Sequence, residues 1–374
     1  MARIVISGGG TGGHVYPAIG IARALMALDS QLEIFFIGGA NCLESTVVPQ
    51  HGFRFLPTSV ASFPRELTWR WFPAIGKILR GFTQSLGLLS KLGPSVVVGT
   101  GGYVSGPVLF AASRLGIPTV IQEQNVVPGL TNRLLARWAK EAFIAFDAVP
   151  LNLPGGTIKV TGNPIRPEIP SCERAVATYQ KLGLDVNLKT VFVMGGSQGS
   201  HAINQAVVNA LGGLVPYHRQ LQLVHQTGEV DYKYVSQSYK GLPLNHLVEP
   251  YFDLIEEIYS ITDLMVCRAG GMTVSEVTAC GLPAIFIPLP AMAGNKQELN
   301  ARVVADLGGA VVLSQQFMTG TLLAAEISEI IRHSTKQGRM ADASRKLGKP
   351  HASEEIATSI LSLINNCVSS NTQK

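Results

Sequence analysis

The sequence predicts an α/β protein built as two doubly wound, parallel-sheet halves, and three observations carry that expectation. At 374 residues the chain exceeds the size of a usual single core, so two domains are the default. Short apolar runs alternate with helix-length segments along most of it. Its opening pattern of strand, glycine loop and helix recurs at one constant offset. Residues 4–14 (IVISGGGTGGH) align with 191–201 (VFVMGGSQGSH), so that Gly8, Gly9, Gly12 and His14 fall on Gly195, Gly196, Gly199 and His201. Hydrophobic residues make up 46% and charged residues 15%, which suits a well-buried α/β chain and excludes a disordered one.

In the first half, residues 4–7 read as a strand. Residues 15–28 read as a helix, with Ile19, Ala22, Leu25 and Ala27 at helical spacing. The intervening glycines let backbone N–H groups approach a phosphate, and a helix N-terminus adds partial positive charge; the alternative is a tight turn that binds nothing. Residues 32–37 form the second strand. Gly8-x-Gly10-x-x-Gly13 has dinucleotide-fingerprint spacing, but no Asp or Glu stands at the end of that strand to hold a ribose. Residues 62–92 interleave Trp69, Trp71, Phe72, Ile75, Leu79 and Phe82 with Arg65, Arg70, Lys77 and Arg80. Such a basic, amphipathic segment fits either membrane docking or an ordinary helix packed on the sheet. Strands at 96–98 and 118–122 lead into Gly99-Thr100-Gly101-Gly102-Tyr103 and Glu123-Gln124-Asn125. In a parallel sheet such strand ends share one edge, where crevices bind ligands. Pro164, Pro167 and Pro170 mark the joint, giving domains 1–161 and 162–343 followed by a terminal segment 344–374.

In the second half, residues 263–288 read as strand (264–267), glycine turn, helix (273–280) and strand (284–287). Thr273-x-x-Glu276 is formally a capping box. The competing reading has Glu276 accept bonds from both hydroxyls of a ribose while the helix N-terminus faces phosphates. Gln297 and Asn300 offer amides suited to a sugar. Helices are expected at 322–332 and 354–364.

The net charge of +5 is diffuse and no nucleic-acid-binding signature is present, so no nucleic-acid partner is expected. Five scattered cysteines without a CxxC pair read as reduced thiols. No apolar run is long enough to span a bilayer, and the chain opens on a strand without a signal-peptide pattern, so an intracellular location is expected. There is no Asp-x-Asp pair, and no metal or other cofactor is expected.

The glycine loops at 8–13, 99–102 and 195–199, with Arg268-Ala269-Gly270-Gly271-Met272-Thr273-Val274-Ser275-Glu276 after them, resemble the MurG family. These are bacterial transferases that add N-acetylglucosamine to the lipid-linked muramyl-pentapeptide precursor of peptidoglycan. The resemblance runs from Arg3 to the last helix. It implies the GT-B fold, two Rossmann-like domains facing across a cleft, with the last helix returning to the N-terminal domain. It also implies an inverting transfer from UDP-N-acetylglucosamine, held mainly by the second half. Arg166 and the Phe252 backbone would border the uracil and Glu276 the ribose. Ser197 and the turn through Gly271, Met272 and Thr273 would hold the diphosphate, with Val274 and Ser275 also in the UDP-N-acetylglucosamine site. Gln297 and Asn125 would contact the sugar, with Thr11, Gly12 and Gly13 beside it. An undecaprenyl-linked acceptor would place its diphosphate near Gly9, Gly10, Gly101, Gly102 and Tyr103, and His14 or Glu123 would act as the base. Such an enzyme works on the cytoplasmic face of the bacterial plasma (inner) membrane, against anionic lipid and beside other proteins of cell-wall synthesis and division. The rival readings are another GT-B enzyme (a diacylglycerol glycosyltransferase or a UDP-N-acetylglucosamine 2-epimerase) and a non-enzymatic nucleotide-sugar-binding module. Two departures from the family pattern stand out. Gly294-Asn295-Lys296 precede Gln297 where an acidic residue and a His are common, in a loop about one residue longer, and Gln122 stands where some relatives carry His.

Overall fold

The structure, a computed structural model, describes residues 2–61, 71–147, 149–151, 153–154, 156–290 and 295–371, without the side chains of 71–74 and 367–371. It divides into two units: Met1–Ile165 with His351–Lys374, and Arg166–Pro350.

The first unit runs β1 (Arg3–Gly8), α1 (Gly12–Leu28), β2 (Glu33–Gly39), α2 (Leu43–Gln50), β3 (Arg54–Thr58), α3 (Trp71–Leu92), β4 (Val96–Gly101), α4 (Ser105–Arg114), β5 (Thr119–Glu123), α5 (Leu130–Leu135), β6 (Glu141–Ile144) and β7 (Thr157–Val160). Its seven strands are all parallel, in the order β3-β2-β1-β4-β5-β6-β7. Growth of the sheet reverses between β1 and β4, the position where doubly wound sheets open a crevice at their carboxyl ends. Side chains alternate across the sheet. Ile4 and Ile6 of β1 pack with α1 on one face, and Val5 packs with Val108 and Leu109 of α4 on the other. Both faces are covered, which is why these strands read as continuous apolar runs.

The second unit runs α6 (Glu168–Ser171), α7 (Val176–Leu182), β8 (Lys189–Met194), α8 (His201–Leu214), β9 (Leu221–Gln226), α9 (Tyr232–Tyr239), β10 (His246–Glu249), α10 (Ile255–Ile261), β11 (Leu264–Cys267), α11 (Gly271–Ala279), β12 (Ala284–Phe286), α12 (Lys296–Ala305), β13 (Ala310–Val312), α13 (Gly320–Arg332) and α14 (Ser334–Leu347). Its sheet is also parallel, in the order β10-β9-β8-β11-β12-β13, with the same reversal between β8 and β11. α14 was not signalled by periodicity: its sequence STKQGRMADASRKL is mostly polar, and of its apolar residues Met340 is the one that is buried.

α15 (Ala352–Asn371) then rejoins the first unit and packs along α1. It buries Ile356, Ala357, Ile360 and Ile364 in the core shared with α1. Each isoleucine contributes about 1.5–3 kcal/mol of burial. α1 also approaches the chain before the joint closely, since a Cβ on Gly20 would lie 2.7 Å from the Pro164 carbonyl oxygen. Ser353 Oγ donates to the Ile165 carbonyl at 3.2 Å.

Candidate active site

In the first unit, the loops after β1 and β4 and the end of β5 converge on His14. α1 begins at Gly12 with Thr11 as its N-cap, so His14 stands in the first helical turn. Gly101 and Gly102, with φ of +95° and +81°, turn β4 into the loop before α4. A Cβ on Gly101 would come within 3.1 Å of the His14 ring, so only glycine leaves the imidazole its place there. The ring's Nδ1 lies 3.0 Å from the Thr100 carbonyl and 3.0 Å from Gln124 Oε1. Both partners accept, so Nδ1 carries a proton, and whenever the ring is neutral its lone pair is on Nε2. Thr100 Oγ1 donates to the His14 carbonyl at 2.7 Å, fastening α1 to β4.

Glu123, the other candidate base, is spent on structure. It is 2% exposed and accepts from Asn125 N (3.0 Å), Asn125 Nδ2 (3.3 Å), Gly129 N (2.9 Å) and Asn132 Nδ2 (2.9 Å). A carboxylate holding four N–H donors ties its loop together. Asn125, expected at the sugar, is in the same stroke tied to Glu123.

Gly9 and Gly10 are also committed, against the expectation that they cradle the acceptor diphosphate. Gly9 N donates to the Gly101 carbonyl at 3.4 Å, and Gly10 N donates to Glu44 Oε2 at 2.9 Å. Glu44, 1% exposed in α2, also accepts from Gly39 N at 3.0 Å. The acid that seemed missing after β2 is therefore present five residues on, where it fills the loop instead of meeting a ribose. Tyr103 covers Gly10, its ring 2.8 Å from where a Cβ would stand. Its hydroxyl pairs with Cys42 at 3.5 Å, and that bond with burial pushes its pKa up to about 12.

In the second unit the corresponding loop, residues 195–200, is gathered by donors. Gln226 Nε2 donates to the Gly196 carbonyl at 3.2 Å. Arg268 Nη2 donates to Ser200 Oγ at 2.6 Å and Gln315 Oε1 at 2.7 Å, while Nη1 donates to the Ile287 and Pro288 carbonyls at 3.0 and 3.3 Å. Arg268 thus clasps the ends of β8, β11 and β12 from inside the motif, a role its spacing does not reveal. Ser197 is exposed on this loop.

The turn Gly270-Gly271 opens α11. Its N-cap is Gly270 and no side chain caps it, so the capping-box reading of Thr273 and Glu276 is wrong: the helix begins two residues earlier than predicted. Glu276 is half-buried and accepts from the Tyr259 hydroxyl at 3.0 Å. Burial raises its pKa, opposed by the Arg166 charge and the tyrosine bond. Phe252 turns its ring into the core against Phe192, and its N–H donates to Gln226 Oε1 at 3.0 Å, so that N–H is not available to a uracil. Gln297 Oε1 accepts from Leu289 N at 2.8 Å, bracing the loop between β12 and α12. Asn295, within the segment that departs from the family pattern, stands at the N-cap position of α12 with φ +50°, a left-handed conformation asparagine tolerates. Gly294 lies outside the described residues.

Comparison with known proteins accounts for both units. The profile of the glycosyltransferase family 28 N-terminal domain matches residues 4–144, and that of the family 28 C-terminal domain matches residues 190–356. The chain is 39% identical to a UDP-N-acetylglucosamine–N-acetylmuramyl-(pentapeptide) pyrophosphoryl-undecaprenol N-acetylglucosamine transferase of Desulforamulus reducens, over 95% of this chain and 96% of that one. It is 39% identical to the protein of the same name in Bacillus pumilus, over 95% and 97%. Among solved structures, Acinetobacter baumannii MurG superposes with a TM-score of 0.79 at 28% identity, covering 97% of this chain and all of that one. The chain therefore belongs to the MurG family of glycosyltransferase family 28, with the GT-B class of fold.

Proposed function

We propose that this chain transfers N-acetylglucosamine from UDP-N-acetylglucosamine to the muramyl 4-hydroxyl of undecaprenyl-diphospho-muramoyl-pentapeptide, in peptidoglycan synthesis. The observation that carries this is identity of 39% across 95% of the chain with relatives named for that reaction. The acceptor oxygen forms a bond to the anomeric carbon as the bond from that carbon to the UDP oxygen breaks, with inversion to a β-1,4 linkage. The hydroxyl proton goes to Nε2 of His14, whose lone pair is set by the Nδ1 partners. Negative charge developing on the leaving diphosphate is met by backbone N–H groups at Ser197, Met272 and Thr273 and by the N-terminus of α11, which has no acidic residue in its first turn. Glu276 takes the ribose hydroxyls, Arg166 borders the base and Gln297 the sugar. The acceptor diphosphate falls to Gly101, Gly102 and Tyr103 ahead of α4 rather than to Gly9 and Gly10. Incubating the protein with radiolabelled UDP-N-acetylglucosamine and the lipid acceptor tests the reading: labelled lipid is the expected product. A manno epimer formed from the donor alone, with no transfer, overturns it in favour of an epimerase.

The acceptor's lipid implies work at the cytoplasmic face of an anionic membrane, and the surface of the first unit supports this. Among the described residues no helix is long and apolar enough to cross a membrane. Trp69 lies outside the described residues, and the Trp71 and Phe72 side chains are likewise not described. Ile75 and Leu79 of α3 are 41% and 59% exposed beside exposed Lys77 and Arg80. Phe82 packs tilted against Phe110 at 5.2 Å and Phe110 against Trp138 at 5.5 Å, with the Arg137 guanidinium over the Trp138 ring; Leu130 and Leu134 of α5 are also exposed. Exposed apolar side chains interspersed with cations suit a peripheral lipid surface. Changing Ile75 and Leu79 together to Ser should lower binding to anionic vesicles several-fold without unfolding; unchanged binding would make the patch ordinary surface.

A further inference from the structure

The amides around His14 form a network whose direction is fixed at every step. Gln124 is 2% exposed, Gln122 0% and Asn163 1%. Asn163 Nδ2 donates to the Gln124 carbonyl at 3.1 Å, and Gln122 Nε2 donates to Asn163 Oδ1 at 2.7 Å. Gln122 Oε1 in turn accepts from Gln124 Nε2, which also donates to the Thr100 carbonyl at 2.7 Å. Reversing the Gln124 amide would set its oxygen against those two acceptors, so Oε1 is held toward His14.

We propose that Gln124 is a positioning residue for the transfer. Its oriented amide oxygen, with the Thr100 carbonyl, keeps the proton on Nδ1 of His14, so that Nε2 is the basic nitrogen in every turnover. The proposal rests on the reading of His14 as the base. It adds the element that selects the ring's tautomer, and it explains why a neutral amide stands where a carboxylate would also accept. An amide fixes the tautomer without adding negative charge beside the imidazole, so the ring is not pushed toward its protonated, inactive form. The carboxylates of this loop cluster are Glu123, bonded to Asn125, Gly129 and Asn132, and Glu44, bonded to Gly10 and Gly39, and the Gln124 amide adds no third negative charge to theirs. Tyr103 and Cys42, two further titratable groups of this loop cluster, are bonded to each other.

The test compares Gln124→Met and Gln124→Glu with the unaltered protein. In the unaltered protein, 15N shifts of the His14 ring should report a proton on Nδ1 and none on Nε2 at neutral pH; a ring protonated on Nε2 overturns the proposal. Gln124→Met should lower kcat about 10-fold or more, with KM for UDP-N-acetylglucosamine within about twofold. Gln124→Glu should recover part of that rate and move the acid limb of the rate–pH profile up by about 1 unit, because a carboxylate now faces Nδ1–H. Full activity in folded Gln124→Met, or an unmoved acid limb in folded Gln124→Glu, overturns it. The underlying reading fails separately, if His14→Ala keeps its turnover. Should either Gln124 variant not fold, the ring shifts of the unaltered protein still decide.

Discussion

Residues 8–14 and 195–201 place glycines at the same spacing after a strand, yet the first loop is fastened by a carboxylate and the second by a guanidinium and an amide. Glu44 accepts the Gly10 N–H, whereas Arg268 and Gln226 reach the second loop as donors. A phosphate about 6 Å from the Glu44 carboxylate would be opposed by about 3 kcal/mol per charge pair at an effective dielectric of about 20. Beside Arg268 the same term is attractive. One loop signature thus yields two electrostatic environments, and the residue deciding between them comes from another strand's connection in each case. The lesson is that a glycine loop specifies close backbone approach, while its surroundings specify what approaches.

The contrast breaks most sharply at His14. His14→Ala should cut turnover at least 100-fold and leave UDP-sugar binding near its starting value, as measured by steady-state rates and calorimetry. A loss of donor binding would mean that the first loop serves the nucleotide after all. Arg268→Gln should weaken UDP binding by roughly 10- to 100-fold, the range for losing charge-assisted bonds that order a loop; unaltered affinity would remove the clasp from the donor site. Glu276→Gln should lower donor affinity about 10-fold, since one of its two acceptor oxygens becomes a donor.

The pH dependence of UDP binding sharpens the same assignment. Burial raises the Glu276 pKa above 4.5, and the ribose reading needs the ionised form. Affinity should therefore fall as pH is lowered through that raised value, and the Gln variant should lose the dependence. The sign for stability is opposite. A group whose folded pKa is raised favours the protonated fold, so its contribution is present below 4.5 and is lost as pH rises through the raised value. The smallest effect belongs to Glu44→Gln, which should cost about 1–3 kcal/mol of stability by turning an amide N–H toward Gly10 or Gly39, with donor affinity unchanged.

The parts of this architecture legible in the sequence are those set by local chemistry. The strands β1, β4, β8 and β11 and their glycine loops follow from apolar runs ending in residues that permit close turns. The parts that were not legible depend on contacts outside the local motif. Glu123 looks like a free carboxylate until Asn132 and Gly129 fold back onto it. Thr273 and Glu276 have capping-box spacing, but the cap is set by where Gly270 leaves the strand. Gln124 carries no signal alone; the direction of its amide comes from the Thr100 carbonyl, 24 positions away, and from Gln122 Oε1.

The return of α15 to α1 makes the second unit an insertion within the first, bounded by Ile165 and His351. During synthesis, the groove on α1 that receives Ile356, Ala357, Ile360 and Ile364 stays open while all of Arg166–Pro350 is being made. The nascent first unit therefore carries an exposed apolar stripe through roughly half of translation, at about 5–20 residues per second. The inserted unit has its own sheet and core and can complete itself before the domain that precedes it. Chains cut short before Ala352 should then be caught by chaperones or aggregate through the first unit, even with the donor half properly formed.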